Sequence, residues 1–325
     1  KISSTKMNPI LNLIISFIAL LWAANHLVAG SSGLAIRFQL SPLMIGLTIV
    51  ALGTSAPELF ISIISSLKDK NDLAIGNAIG SNIANIGLIL GIIILIKPTS
   101  FHFNKLKKVY PILIIVMLFA YSLILDGYLG TIDGCLFLIG CIAVLCYFIY
   151  LASHSPKRDL SVNEFRPAIL SYRSTPSNLL SIAIGLLILP ICSKYLVYNA
   201  SEIAKWAGIS EFTIGLTIIA IGTSLPELTT SLVAAIKGED SIAIGTIIGS
   251  NIYNLLLILA LPGLLNPTKI SSVVLWRDMP VMLSITLLLL FLNYYYQKKT
   301  SSWPGGILLL VYFCYMASLI INAHS

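Results

Sequence analysis

Long apolar runs alternate with short polar breaks along the whole chain. Read against those breaks, the runs predict ten helices: roughly Ile10–Ile36, Pro42–Leu67, Leu73–Ile96, Val109–Leu125, Ile132–Leu151, Asn178–Ala204, Phe212–Ile236, Ile242–Leu265, Pro280–Tyr296 and Gly305–Ile321. Each is close to the ~20 residues that cross the hydrocarbon core of a bilayer. Runs such as Met279 to Leu292 are continuously apolar. They lack the in–out alternation of membrane-spanning strands, which excludes a barrel. The predicted fold is an all-α polytopic membrane protein. The polar stretch 154–176 is the longest break, and it divides the chain into two five-helix halves, residues 1–153 and 177–325.

Composition agrees with that pattern. Hydrophobic residues make up 57% of the chain and charged residues 10%, with a mean hydropathy of +0.93. A soluble domain carries about 25% charged residues. A water-facing enzyme and a disordered chain are therefore both excluded. The first apolar run continues too far for a cleavable signal peptide and reads as a span. All five cysteines lie in apolar segments without a CxxC, and read as packing residues.

The net charge of +7 comes from 20 Lys+Arg against 13 Asp+Glu, with no basic cluster interleaved with aromatics. Nucleic acid is not an expected partner, and the basic residues report orientation instead. Connections after odd-numbered spans hold Arg37, Lys97, Lys105, Lys107, Lys108, Lys157, Arg158, Arg166, Arg173, Lys237, Lys298 and Lys299. The other side holds only Lys1, Lys6, Lys68, Lys70, Lys205, Lys269 and Arg277. The richer side faces the cytoplasm, which predicts a cytoplasmic 154–176 loop and both termini outside.

An internal repeat is the strongest signal. Ile45–Gly91 and Ile214–Ala260 align without a gap, with 26 of 47 positions identical; GTSxPEL and IGSNIxN recur in order at the same spacing. Five predicted spans separate the copies. An odd number turns the second copy over, so the halves are expected to be inverted, as in secondary transporters with a site where the repeats meet.

The repeat places chemistry inside the membrane. Only Glu58 and Glu227 fall deep within predicted spans, at equivalent positions. An acid at bilayer depth costs at least ~3 kcal/mol, so two matched ones call for a ligand. Pro57 and Pro226 lack an N–H, which predicts a helix break and free carbonyls at Gly53 and Gly222, beside Thr54, Ser55, Thr223 and Ser224. Asn77, Ser81 and Asn85, and their equivalents Thr246, Ser250 and Asn254, share one face of the following helix. Gly76, Gly80, Gly245 and Gly249 would let helices approach closely, while Asn82 and Asn251 face elsewhere. Carboxylate, carbonyl and hydroxyl oxygens together suit a hard cation. Two ionised glutamates match one Ca2+, or several monovalent ions in competition with it.

GTSAPEL and GTSLPEL, each followed by GSNIxN, resemble the signatures of the cation/Ca2+ exchanger superfamily, in its prokaryotic sodium/calcium antiporter branch. The resemblance implies two inverted five-helix bundles in a plasma (inner) membrane, with spans one and six sliding across a core of spans two, three, seven and eight. It implies that Glu58 and Glu227 bridge the ions, and that the carbonyls of Thr54 and Thr223 complete a Ca2+ site. Ala51, Ala220, Ser81 and Ser250 would line flanking Na+ positions, with Asn85 and Asn254 at the central level. It implies inward Na+ movement driving Ca2+ out, no cofactor beyond the transported ions and no obligate protein partner. Many relatives carry Asp at the position of Asn254; Asn there argues against K+ dependence. The 154–176 loop is too short for a regulatory domain.

A proton-coupled cation antiporter and a cation channel are the competing expectations. A membrane enzyme is not expected. His26, His102, His154 and His324 are scattered, and no nucleophile is paired with a base.

Overall fold

A computed structural model describes residues 9–98, 109–154, 174–207, 220–295 and 301–324. The elements in order are α1 (Pro9–Arg37), α2 (Pro42–Thr54), α3 (Ala56–Leu67), α4 (Asn71–Ile96), α5 (Tyr110–Ile124), β1 (Tyr128–Leu129), α6 (Thr131–His154), α7 (Thr175–Trp206), α8 (Ala220–Thr223), α9 (Leu225–Ile236), α10 (Asp240–Leu265), β2 (Thr268–Lys269), α11 (Val274–Tyr295) and α12 (Trp303–His324). Among the described residues, seven helices are long and apolar enough to cross a membrane, or eight if the bent pair α2–α3 is one span. Helices α5 and α9 are shorter apolar helices. The two short strands pair antiparallel and tie the connection after α5 to that after α10.

Two helices form the centre. Their most apolar windows are 78% (α4) and 89% (α10) buried, against 17–33% for the other long spans. Both carry polar side chains, Asn82 and Asn85 on α4 and Asn251 and Asn254 on α10, that lipid could not satisfy, and burial in protein is the position that suits them. Helix α10 packs on α2 and α9, α4 packs on α3, and α11 and α12 lie against α4. The outer helices turn apolar side chains such as Ile132 and Leu187 outward, where lipid is the only solvent that suits them. Helices α1 and α7 pack along each other for much of their length.

The helix breaks follow from local sequence. Ser55 separates α2 from α3 at φ −80° and ψ 9°, with Pro57 in the first turn of α3; the two segments meet at 42°. Ser224 separates α8 from α9 with almost the same geometry and Pro226 in the first turn. Proline tolerates the first turn of a helix and ends the one before it. The α3–α4 and α9–α10 turns also match: Asp69 (φ 57°) and Gly238 (φ 83°), 169 positions apart, both adopt the left-handed region.

Each turn is fastened to the other copy of the repeat. Asn71 Nδ2 donates to the Asn266 carbonyl at 2.8 Å, and Asn266 Nδ2 donates to the Ser66 carbonyl and to Asp69 Oδ1. The equivalents of Ser66, Asn71 and Asn266 are Ala235, Asp240 and Lys97. Lys97 Nζ donates to the Ala235 carbonyl and pairs with Asp240 at 3.0 Å. The ends of α4 and α10 are therefore held by equivalent clasps, one ionic and one built from amides.

Helix α11 begins earlier than its hydrophobic pattern predicts. Arg277 and Asp278 read as a connection, yet both lie within its first turns, joined at 2.7 Å, with Tyr315 donating to Asp278. Mutual neutralisation lets the pair enter the helix.

Candidate ion site

The two breaks bring the two copies of the motif face to face. Glu58 and Glu227 lie in the first turns of α3 and α9, each 1% exposed. Their carboxylates are close enough to repel each other. Ser55 Oγ donates to Glu227 Oε1 at 3.1 Å, and Thr54 and Ser250 lie near that carboxylate. Ser224 Oγ approaches Ser81 Oγ at 3.5 Å. Of the twelve residues named from the sequence, these six and Ser81 thus come from both copies and meet at the breaks. Thr54 Oγ1 donates to the Ala51 carbonyl at 3.2 Å, so its hydroxyl is occupied while its carbonyl ends α2. Thr223 ends α8 in the same way and is partly buried. Ala51 is fully buried; Ala220 opens α8, and its side chain lies outside the described part.

The second wall comes from α4 and α10. Asn85 and Asn254, each 1% exposed, stand where both helices widen into a π turn, Asn85–Leu90 and Asn254–Ile258. Such turns recur at functional sites. Asn85 Nδ2 donates to Asn251 Oδ1 at 2.9 Å, and Asn254 Nδ2 donates to Asn82 Oδ1 at 3.1 Å. Thr246, by contrast, spends its hydroxyl on its own helix at the Ile242 carbonyl.

Oxygens without partners decide what this arrangement can do. Glu58 Oε2, Glu227 Oε2, Asn85 Oδ1, Asn254 Oδ1 and Ser250 Oγ are buried and accept no hydrogen bond. A buried unsatisfied polar atom costs about 1–3 kcal/mol, more when charged. Helix α3 packs on the Asn254–Ile258 turn and α9 on the Asn85–Leu90 turn, so oxygens from both copies border the two repelling carboxylates, and a hard cation is the partner that such oxygens suit. The carbonyl ends of α2 and α8 add partial negative charge at the breaks.

Two expectations about the breaks change. The Gly222 carbonyl is not free: Ser193 Oγ of α7 donates to it at 2.7 Å. Gly53 and Gly222 both abut α7, where a Cβ would collide with the side chains of Leu186 and Val197. Gly245 and Gly249 meet the backbone of α2 closely, as expected, whereas Gly76 and Gly80 have no described neighbour within 4 Å. The α2 residues that Gly245 and Gly249 meet, Leu43, Gly46, Leu47 and Ala51, correspond by the repeat to 212, 215, 216 and 220, mostly outside the described residues.

The sequence reading set Asn82 and Asn251 off the site face, as capping residues or hydrogen-bonding partners between helices, and the structure shows the latter; it passed over Ser193. The two asparagines carry a signal, since they recur inside IGSNIxN. Ser193 carries none, because it lies outside the repeat.

A helical membrane protein whose two repeat copies close an oxygen-lined, carboxylate-bearing centre is built to handle cations. The comparisons with known proteins agree. The family model described as sodium/calcium exchanger protein matches residues 8–153 and 177–321. Inner membrane protein YrbG of Escherichia coli is 38% identical over 85% of this chain and 86% of its own length. Sodium/calcium exchanger MaX1 of Methanosarcina acetivorans is 31% identical over 94% and 97%. A solved structure of the sodium-calcium exchanger NCX_Mj superposes with a TM-score of 0.80 at 32% identity, over 96% of this chain and 99% of that one. The chain belongs to the sodium/calcium exchanger protein family.

Proposed function

We propose that this chain is an antiporter that exchanges Na+ for Ca2+ across a plasma membrane by alternating access, with inward Na+ driving Ca2+ out. One observation carries the reading: Glu58 and Glu227, one from each copy of the repeat, lie buried within repelling distance of each other with oxygens left unpartnered, on helices that pack against the π turns begun by Asn254 and Asn85. In this reading Glu58 and Glu227 bridge the ions, and the carbonyls of Thr54 and Thr223 join them around Ca2+. Ser81, Ser250, Ala51 and Ala220 border flanking Na+ positions, and Ser55 and Ser224 brace the carboxylates. A divalent ion matches the paired negative charge, and monovalent ions displace it only by occupying several positions. That mutual exclusion is the coupling.

The architecture that goes with it is ten spans in two inverted halves, 1–153 and 177–325, joined by a cytoplasmic 154–176 loop, with both termini outside. The gapless repeat across five predicted spans supports this, as do the two segments the family model matches. Helices α1 and α7, in long contact with each other and beside the breaks, are the elements that slide.

The test is radiolabelled Ca2+ uptake into proteoliposomes, with Na+, K+ and H+ gradients imposed one at a time. An outward Na+ gradient at fixed pH should drive uptake. Uptake driven only by a pH gradient would replace this reading with proton coupling, and uptake indifferent to any counter-ion would indicate a channel.

A further inference from the structure

Asn82 and Asn251 are fully buried on α4 and α10, and neither is among the oxygens assigned to the ions. Their partners are the neighbouring asparagines of the opposite copy. Asn82 Nδ2 donates to the Asn251 main-chain carbonyl at 3.2 Å. A main-chain carbonyl can only accept, so the Asn82 amide is turned one way: NH2 toward α10, oxygen away from that carbonyl. That oxygen accepts from Asn254 Nδ2. Asn254 must then offer its NH2 to Asn82, which leaves Asn254 Oδ1 free, and it is one of the unpartnered buried oxygens. In the other copy Asn251 Oδ1 accepts from Asn85 Nδ2 and Asn85 Oδ1 is left free, but Asn251 Nδ2 has no partner, so no main-chain carbonyl orients that amide.

We propose that Asn82 is a positioning residue that turns the side-chain oxygen of Asn254 toward the transported ions. The inference rests on the exchange reading above and deepens it. An asparagine amide has one acceptor end and one donor end, and a cation tolerates only the first. Without an external reference the amide of Asn254 could turn its NH2 inward, where it would repel the ion. The Asn251 carbonyl supplies that reference, and Asn82 relays it. A carboxylate at position 254 needs no such instruction, because both its oxygens accept. It would set an oxygen against Asn82 Oδ1, so the relay that helps an asparagine opposes an aspartate.

The test is Ca2+ binding to the purified full-length chain in detergent, read as Ca2+-dependent thermal stabilisation. Half-saturation is compared for wild type, Asn82→Ala, Asn82→Asp, Asn254→Asp and the double variant Asn82→Ala/Asn254→Asp. Asn82→Ala should raise half-saturation about tenfold, the scale of one misdirected ligand oxygen. Asn82→Asp keeps the acceptor facing Asn254 and should stay within about threefold of wild type. In the Asn254→Asp background the Asn82→Ala change should leave half-saturation unchanged or lower it. Equal weakening by Asn82→Ala in both backgrounds would mean a merely structural role and overturn the proposal. Asn254→Asp that binds no Ca2+ either alone or with Asn82→Ala would overturn it too, because residue 254 would not present oxygen to the ion, whereas binding recovered in the double variant supports the relay. If Asn82→Ala does not fold, Asn82→Leu takes its place: about tenfold weakening that vanishes in the Asn254→Asp background supports the relay, and equal weakening in both backgrounds or none in either overturns it. Wild type that binds no Ca2+ removes the exchange reading and the relay together; wild type that binds, with Asn82→Ala equal to it, removes the relay only.

Discussion

Ser55 and Glu227 stand 172 residues apart in sequence, yet the Ser55 hydroxyl donates to Glu227 Oε1 at 3.1 Å. The helix break of one copy of the repeat thus steadies the carboxylate of the other. A hydrogen bond to a charged group contributes about 1.5–3 kcal/mol. Ser55→Ala should therefore raise the Ca2+ concentration for half-maximal transport about tenfold or more. Flux assays across a Ca2+ series test this, and an unchanged half-saturation would remove Ser55 from the site.

The ionic clasp predicts salt dependence. Lys97 and Asp240 are both partly exposed, and an exposed ion pair contributes at most about 1 kcal/mol. Lys97 Nζ also donates to the Ala235 carbonyl. Lys97→Ala should lower the Tm by a few degrees, with part of the loss vanishing in high salt. Asn266→Ala breaks the equivalent amide clasp, and its loss should be insensitive to salt. Thermal unfolding at low and high ionic strength separates the two.

Glu239 lies in the turn between α9 and α10, outside the spans. Burial raises its pKa above the usual 4.5, while the Ser32 hydroxyl and Lys237 act in the opposite direction and Asp240 reinforces the rise. The folded state therefore binds the proton more tightly than the unfolded state. By linkage the native state loses stability as pH rises from the unfolded pKa through the raised folded one, and the penalty is complete above both. Glu239→Gln removes it. The variant should unfold at a higher Tm than wild type at neutral pH, with the gap closing as pH falls toward 4.5. A gap independent of pH would contradict this.

Close approach of α7 to the second break makes a steric prediction. A methyl at Gly222 would meet Val197. Gly222→Ala should slow transport strongly, and Val197→Ala in the same chain should restore much of it, because the second change makes room for the first. Turnover of the single and double variants measures the coupling; additive losses would place the damage elsewhere.

Much of the site could be read from residue types alone, because bilayer depth makes an acid conspicuous. Glu58 and Glu227 stand out for that reason, and Pro57 and Pro226 mark the breaks. The contacts between copies are less legible. Asn82 and Asn251 lie off the face that carries Ser81 and Asn85, so helical spacing leaves them as caps or as hydrogen-bonding partners between helices; only the crossing of α4 with α10 supplies which partners. Ser193 caps the Gly222 carbonyl from a helix with no motif. The π turns at Asn85 and Asn254 leave no mark in composition. Arg277 and Asp278 misplaced the start of α11 because each charge was read singly, whereas the pair is neutral.

The central claim is that Glu58 and Glu227 hold a single Ca2+ jointly. Equilibrium binding of radiolabelled Ca2+ to the purified chain, with Glu58→Gln and Glu227→Gln beside it, tests this most directly. The account predicts saturable binding of one Ca2+ per wild-type chain, displaced by Na+, and its loss in either variant while both remain folded and monodisperse. Either variant retaining wild-type affinity would contradict it.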